Sequence, residues 1–91
     1  MMKKYFVEFL GTMFIMFTIF TTGNWIAIGA ALAIAELFGR PISGGAFNPA
    51  VAIAFYADEK LPQSDLMSYI IAEILGAIAA FYAYKSFDND T

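Results

Sequence analysis

The chain has 91 residues, of which 60% are hydrophobic and 14% charged, whereas a soluble domain is about 45–50% apolar and about 25% charged. Its five basic and eight acidic residues give a net charge of −3, which disfavours a nucleic-acid partner. The sequence contains neither Cys nor His. It therefore offers no disulfide, thiolate ligand or imidazole base, and we expect neither an enzyme nor a bound metal or cofactor.

The spacing of the charges predicts a membrane protein. Long uncharged stretches separate Glu8 from Glu36 and Arg40 from Asp58, and a helix that is apolar on all sides suits lipid rather than water. A soluble helical bundle is the alternative. We predict a single all-α membrane domain over residues 1–91, with three transmembrane helices at about 5–22, 25–38 and 66–84.

The segment between the second and third spans predicts a half-helix. Gly39-Arg40-Pro41 is expected to end the second helix, because proline disrupts a helix and restricts the residue before it. Asn48 is a favoured N-cap and Pro49 a favoured first helical residue, so a new helix should run to Ala57. About ten residues span about 15 Å, half of a bilayer core. We therefore predict a re-entrant loop and half-helix at about 42–57, whose free backbone groups line a polar path.

The same segment carries a family resemblance. Ser43–Val51, which contains Asn48-Pro49-Ala50, resembles the first pore loop of the aquaporins, the major intrinsic protein family. Glu8–Thr12 and Tyr69–Ala77 resemble the first and third helices of that family. The resemblance implies half of an aquaporin-like fold, surrounded by lipid, and a channel for water or small neutral solutes such as glycerol.

Chains of this family carry two inverted halves, whereas this sequence shows one. The resemblance therefore implies that a second copy in inverted orientation completes the pore as an antiparallel homodimer, with a higher oligomer built from such pairs. A complementary half from another chain is the alternative partner. Two other functions stay open: a non-conducting subunit that modulates another channel half, and a pore that admits cations.

The resemblance also implies a set of pore-lining residues. Asn48 should cap the half-helix with its side-chain oxygen, leaving the amide NH₂ directed into the pore. The carbonyl groups of Gly44, Gly45 and Ala46 should provide acceptors along one wall. The full set is Asn48, Pro49, Ala50, Gly44, Gly45, Ala46, Val51, Ile28 and Glu36.

Two of these positions depart from the family pattern. Val51 stands where the second half of the family has an arginine, so a fixed positive charge at the mouth is missing. Glu36 falls where a neutral or His side chain is usual, and Arg40 lies one helical turn later. The pair can be an ordinary interfacial ion pair or an acidic mouth that tolerates cations.

Glu8 and Glu73 are carboxylates within predicted spans, where an unsatisfied charge is costly. The resemblance implies that both support the loop by accepting hydrogen bonds from its backbone N–H groups. Glu8 lies near the end of its span, so a position at the membrane surface is the alternative for it.

The basic residues predict an orientation. Lys3, Lys4, Arg40 and Lys60 fall on one side of the membrane and Lys85 on the other, which predicts a cytoplasmic N-terminus. An antiparallel homodimer requires both orientations, so this bias disfavours it, and dual orientation stays open.

Overall fold

The computed structural model describes residues 2–88, whose regular structure is entirely helical. Three of its helices are long and apolar enough to cross a membrane. At a rise of 1.5 Å per residue, the first two are about 31 and 28 Å long and the short third helix is about 13 Å. The helices are α1 (Met2–Thr22), α2 (Trp25–Ser43), α3 (Pro49–Ala57) and α4 (Gln63–Asp88).

Helix α1 holds the fold together, because it packs against both α2 and α4 while α3 packs against α4. The crossing of α1 and α4 is close at Gly76. A Cβ atom there would overlap the carbonyl oxygen of Phe9 and lie 3.2 Å from the backbone nitrogen of Met13. A residue without a side chain is therefore needed where the two backbones meet.

The distribution of side chains is that of a molecule in lipid. The buried hydrophobic residues are mostly alanines, whereas large side chains such as Trp25, Leu37 and Phe38 are at least 70% exposed. The two largest fully buried side chains are the carboxylates Glu8 and Glu73. Apolar surface of this extent is unfavourable in water and favourable in a bilayer.

Helix α2 ends later than the sequence predicts, so the expected stop at Gly39-Arg40-Pro41 is wrong. The helix continues through Pro41 to Ser43 and ends at Gly44, which has a φ of 88° and whose N–H donates to the carbonyl of Arg40 at 2.9 Å. Pro41 lies in the last turn, where its missing N–H costs a single helical hydrogen bond. Tertiary hydrogen bonds to Ser43 hold that turn in place.

Helices α1 and α4 are longer than the predicted spans, because each helix extends beyond its apolar part. Helix α1 begins three residues before Tyr5, and α4 extends the predicted span 66–84 at both ends. Hydropathy marks only the apolar stretch, and polar residues add helical turns outside it. Helix α3 coincides with the predicted half-helix, with Asn48 as its N-cap and Pro49 as its first residue.

Candidate functional site

Loop 44–48, which joins α2 to α3, reverses the chain by means of left-handed backbone conformations. Gly44 and Gly45 have φ values of 88° and 66°, and Phe47 has a φ of 54°. Glycine adopts this region at no steric cost, whereas a side chain such as phenylalanine does so only with support from its surroundings. Gly45, Ala46 and Phe47 are buried.

The carboxylate of Glu8 on α1 holds this loop. It is completely buried and accepts three hydrogen bonds, from the backbone N–H groups of Ala46 at 3.1 Å and Phe47 at 2.7 Å and from the hydroxyl of Ser43 at 2.6 Å. The loop donors and the carboxylate thus satisfy each other's hydrogen bonds at a buried position between the helices.

Two further residues outside the predicted site, Thr12 and Tyr69, hold the same loop. The hydroxyl of Thr12 donates to the carbonyl of Phe47 at 3.1 Å, and the hydroxyl of Tyr69 donates to the carbonyl of Ser43 at 2.7 Å. Both contacts are buried. Thr12 and Ser43 are polar residues next to apolar stretches, which is a weak signal in the sequence, and nothing in the sequence distinguishes Tyr69 from an ordinary packing residue.

Asn48 lies at the end of the loop and begins α3. Its backbone is extended, with a φ of −157°, and its side-chain oxygen accepts from the N–H of Ala50 at 2.8 Å. The oxygen is therefore used by the cap, and the rest of this exposed side chain stays accessible. The N-terminus of α3 carries the positive end of its helix dipole.

An open groove of about 410 Å³ lies beside Asn48, between α1 and α4. Thr12, Asn48 and Glu73 supply its polar groups. Its other walls are Ile15, Met16, Ile19, Phe47, Pro49, Ile74, Ala77 and Ile78. The groove is thus an apolar surface with polar groups concentrated at the start of the half-helix.

Glu73 differs from Glu8 although both are buried. It is 1% exposed, and neither of its oxygens forms a hydrogen bond with any group in residues 2–88. The Glu8 carboxyl and the backbone N–H of Asn48 are close to it without reaching hydrogen-bonding geometry. The loop contacts implied for both carboxylates are thus present for Glu8 and absent for Glu73 in the described part of the chain.

The structure brings Glu36 and Gly45 together. A Cβ atom on Gly45 would overlap the Glu36 carboxylate, lying 2.9 Å from its Cδ. Arg40 Nη2 lies 3.0 Å from Glu36 Oε1, which is an ion pair without good hydrogen-bonding angles. The Glu36 carboxylate next to the loop is therefore paired with the positively charged guanidinium of Arg40.

The remaining predicted pore residues are distributed over several environments. Ala50 is exposed, Gly44 and Pro49 are half-buried, and Ala46 is buried. Val51 is half-buried and packs against a cluster that includes Ala46. Ile28 lies two turns before Glu36 on α2, about 12 Å along the helix axis.

These features define a class of protein: a helical membrane unit in which a half-length helix begins at an exposed asparagine, beside a groove between two helices long enough to cross a membrane. A family model agrees with this class. The model of the major intrinsic proteins matches residues 21–90, and the chain belongs to that family. It is an integral membrane protein, with three helices long and apolar enough to cross a bilayer.

Individual relatives are similar over most of this chain. It is 43% identical to glycerol uptake facilitator protein-like 6 of Lactiplantibacillus plantarum, over 94% of the chain and 44% of the relative. It is 37% identical to aquaporin Z of Brucella melitensis over 88% of the chain and 42% of the relative. It is 43% identical to aquaglyceroporin AqpS of Rhizobium meliloti over 62% of the chain and 24% of the relative. The chain thus spans less than half the length of these relatives, and no solved structure matches it.

Proposed function

We propose that the chain forms one half of a membrane pore for water or small neutral solutes such as glycerol, and that a second copy in inverted orientation supplies the other half. The observation that carries this proposal is the position of Asn48. It is an exposed cap at the start of a nine-residue helix, beside an open groove between two membrane-crossing helices. The names of relatives, glycerol uptake facilitator protein-like 6 and aquaporin Z, support the solute class.

The proposed selectivity follows from the electrostatics of α3. The N-terminus of a helix is equivalent to about half a positive charge. Two such termini facing each other at the middle of the membrane repel cations, whereas a neutral solute meets only hydrogen-bonding groups. The amide NH₂ of Asn48 donates to the solute, and the carbonyls of Gly44, Gly45 and Ala46 accept from it.

The proposed partner is inferred from the face of α3 that the other helices in residues 2–88 do not cover. Helix α3 packs against α4, and its residues Ala50, Ile53 and Ala54 are exposed. An inverted copy places its own half-helix on the far side of the membrane and closes the groove, as inverted repeats do in other transporters. In this arrangement Ile28 of one copy joins Glu36, Gly45 and Val51 of the other at each mouth.

The ion pair at this mouth favours neutral solutes over cations. Glu36 alone attracts cations to the mouth, but the guanidinium of Arg40 lies 3.0 Å from its carboxylate and offsets its charge. A neutral mouth supports the pore for neutral solutes rather than a cation pore.

Osmotic measurements test conduction. The purified chain in proteoliposomes should accelerate shrinking in an impermeant osmolyte, and glycerol uptake distinguishes the two solutes. Asn48→Asp keeps a cap oxygen but replaces the NH₂ donor with a negative charge, so we expect slower neutral-solute flux and a cation leak. Asn24→Asp is the matched control, because Asn24 is the N-cap of α2 and its side-chain oxygen accepts from the N–H of Ala27 at 2.9 Å. Vesicles as slow as empty liposomes contradict the proposal.

Cross-linking tests the partner. The chain has no Cys, so a single Ala50→Cys introduces one thiol, which should form a disulfide-linked dimer if two half-helices face each other. Trp25→Cys is the control, since Trp25 residues of an inverted pair lie on opposite membrane faces. If only Trp25→Cys forms a cross-linked dimer, the copies are parallel, and the antiparallel homodimer is refuted. Conduction that needs another channel half supports the modulatory subunit instead.

Orientation is a separate measurement. From the distribution of basic residues we propose a cytoplasmic N-terminus. An antiparallel homodimer, in contrast, needs similar numbers of chains in each orientation. Labelling Lys85→Cys in intact cells with a membrane-impermeant thiol reagent measures the two populations. One orientation alone excludes the antiparallel homodimer and leaves a complementary half as the partner.

A further inference from the structure

We infer that Phe47 is a positioning residue, a wedge that fixes Asn48 by filling a slot between two glycines of α1 and α2. The inference rests on the proposed function, because the position of Asn48 matters only where a solute passes it. Phe47 is outside the set of pore-lining and loop-supporting residues that the sequence predicts.

The slot is formed by Gly11 on α1 and Gly39 on α2. A Cβ atom on Gly39 would lie 2.6 Å from Cζ of the Phe47 ring, and one on Gly11 would overlap the same ring. Real atoms do not approach each other so closely at either position, so the Phe47 ring fits only because both residues are glycine. The Phe47 side chain is 6% exposed. It thus contacts the two membrane-crossing helices that precede the loop.

The backbone of Phe47 is held as firmly as its ring. Its N–H donates to Glu8 at 2.7 Å, and its carbonyl accepts from Thr12 at 3.1 Å. The φ of 54° is unfavourable for a phenylalanine, and such a conformation persists only where the surroundings support it. Here the buried ring and the two hydrogen bonds provide that support.

The anchored Phe47 positions Asn48 because the two residues are adjacent in the chain. Among the helices in residues 2–88, α3 packs against α4 alone. Phe47, directly before the cap, therefore links the start of α3 to helices α1 and α2, in addition to the hydrogen bonds from Ala46 and Ser43 to Glu8. Because Asn48 is the next residue, a displaced ring moves the cap that accepts from Ala50 at 2.8 Å.

A second-site rescue tests the wedge. Gly39→Ala overfills the slot. A conducting conformation disfavoured by about 1.4 kcal/mol is about tenfold less populated, a cost within the range of overpacking, so we expect osmotic water permeability to fall by about tenfold. Phe47→Leu makes the wedge smaller and should increase cation leak relative to water flux. The double variant should conduct better than Gly39→Ala alone, because the smaller side chain makes room for the added methyl group. Gly29→Ala, on the same helix and with nothing within 4 Å of its Cβ position, is the control.

A readout that does not depend on conduction separates this inference from the proposed function. In ¹⁵N-labelled chain in detergent, the side-chain amide resonance of Asn48 should shift in Gly39→Ala, return towards its original position in the double variant, and stay unchanged in Gly29→Ala. Circular dichroism verifies that each variant keeps its helices. An unchanged Asn48 resonance in both Gly39→Ala and Phe47→Leu overturns the inference. A wild-type chain that does not conduct refutes the proposed function, and the resonance then decides the wedge by itself.

Discussion

Replacing Glu8 by alanine should destabilise the fold more than any exposed substitution, because it leaves loop donors without acceptors in a buried place. Glu8 accepts from the N–H groups of Ala46 and Phe47 at 3.1 and 2.7 Å. A buried donor that loses its partner costs about 1–3 kcal/mol, so the two N–H groups together cost about 2–6 kcal/mol. The hydroxyl of Ser43 adds little, because it is already 3.3 Å from the carbonyl of Gly39 and can keep that bond.

Chemical unfolding of the purified chain in mixed micelles, followed by circular dichroism, measures this free energy. Glu8→Gln keeps one acceptor oxygen, and we expect about half of the alanine effect. Glu59→Ala is the control, since it removes an exposed carboxylate and should change stability by less than about 0.5 kcal/mol. Hydrogen exchange adds a local readout, because the amides of Ala46 and Phe47 should exchange faster in Glu8→Ala. Equal unfolding free energies for Glu8→Ala and Glu59→Ala refute the reasoning.

Three further predictions use the same unfolding assay. Gly76→Ala should cost about 1–3 kcal/mol, because its methyl group meets the backbone of α1, whereas Gly29→Ala should be neutral or slightly stabilising; equal effects contradict the close crossing. Asp65→Ala removes an acid that is 5% exposed and carries two side-chain hydrogen bonds at 2.7 Å, so it should cost about 2–5 kcal/mol. Lys60→Ala breaks an exposed pair and should cost under about 1 kcal/mol, and a larger loss for Lys60 contradicts this ranking. Tyr69→Phe removes a buried hydrogen bond and should cost about 1–3 kcal/mol, with a change below about 0.5 kcal/mol as the contrary result.

The half-helix is predictable from sequence because its signals are local. Asn48 and Pro49 have the residue types that an N-cap and a first helical position require, and the charged residues after Ala57 show where the apolar stretch ends. The structure has α3 at this position. The end of α2 is not predictable in this way. Pro41 predicts a break, but contacts from distant helices stabilise two more residues, and a local rule cannot include such contacts.

The loop contacts show the same limit. Glu8 is a carboxylate in an apolar stretch of sequence. Because an unpaired charge in lipid is unfavourable, the sequence predicts that this side chain has a hydrogen-bonding partner. The family resemblance implies loop N–H groups as its partners, but the particular donors, Ser43, Ala46 and Phe47, depend on how α1 crosses the end of α2, which only the fold determines. Tyr69 and Phe47 carry no polar signal that separates them from packing residues, so their roles follow from geometry alone.

The Glu8 contacts have a consequence for how copies of the chain would associate. A loop that ordered only on contact with a partner would lose its conformational freedom at that moment and weaken the association accordingly. Here the carboxylate, the threonine hydroxyl and the phenylalanine ring hold the turn within a single chain. The conformational entropy of the loop is thus lost when each monomer folds, so association of two copies in the bilayer does not include that cost.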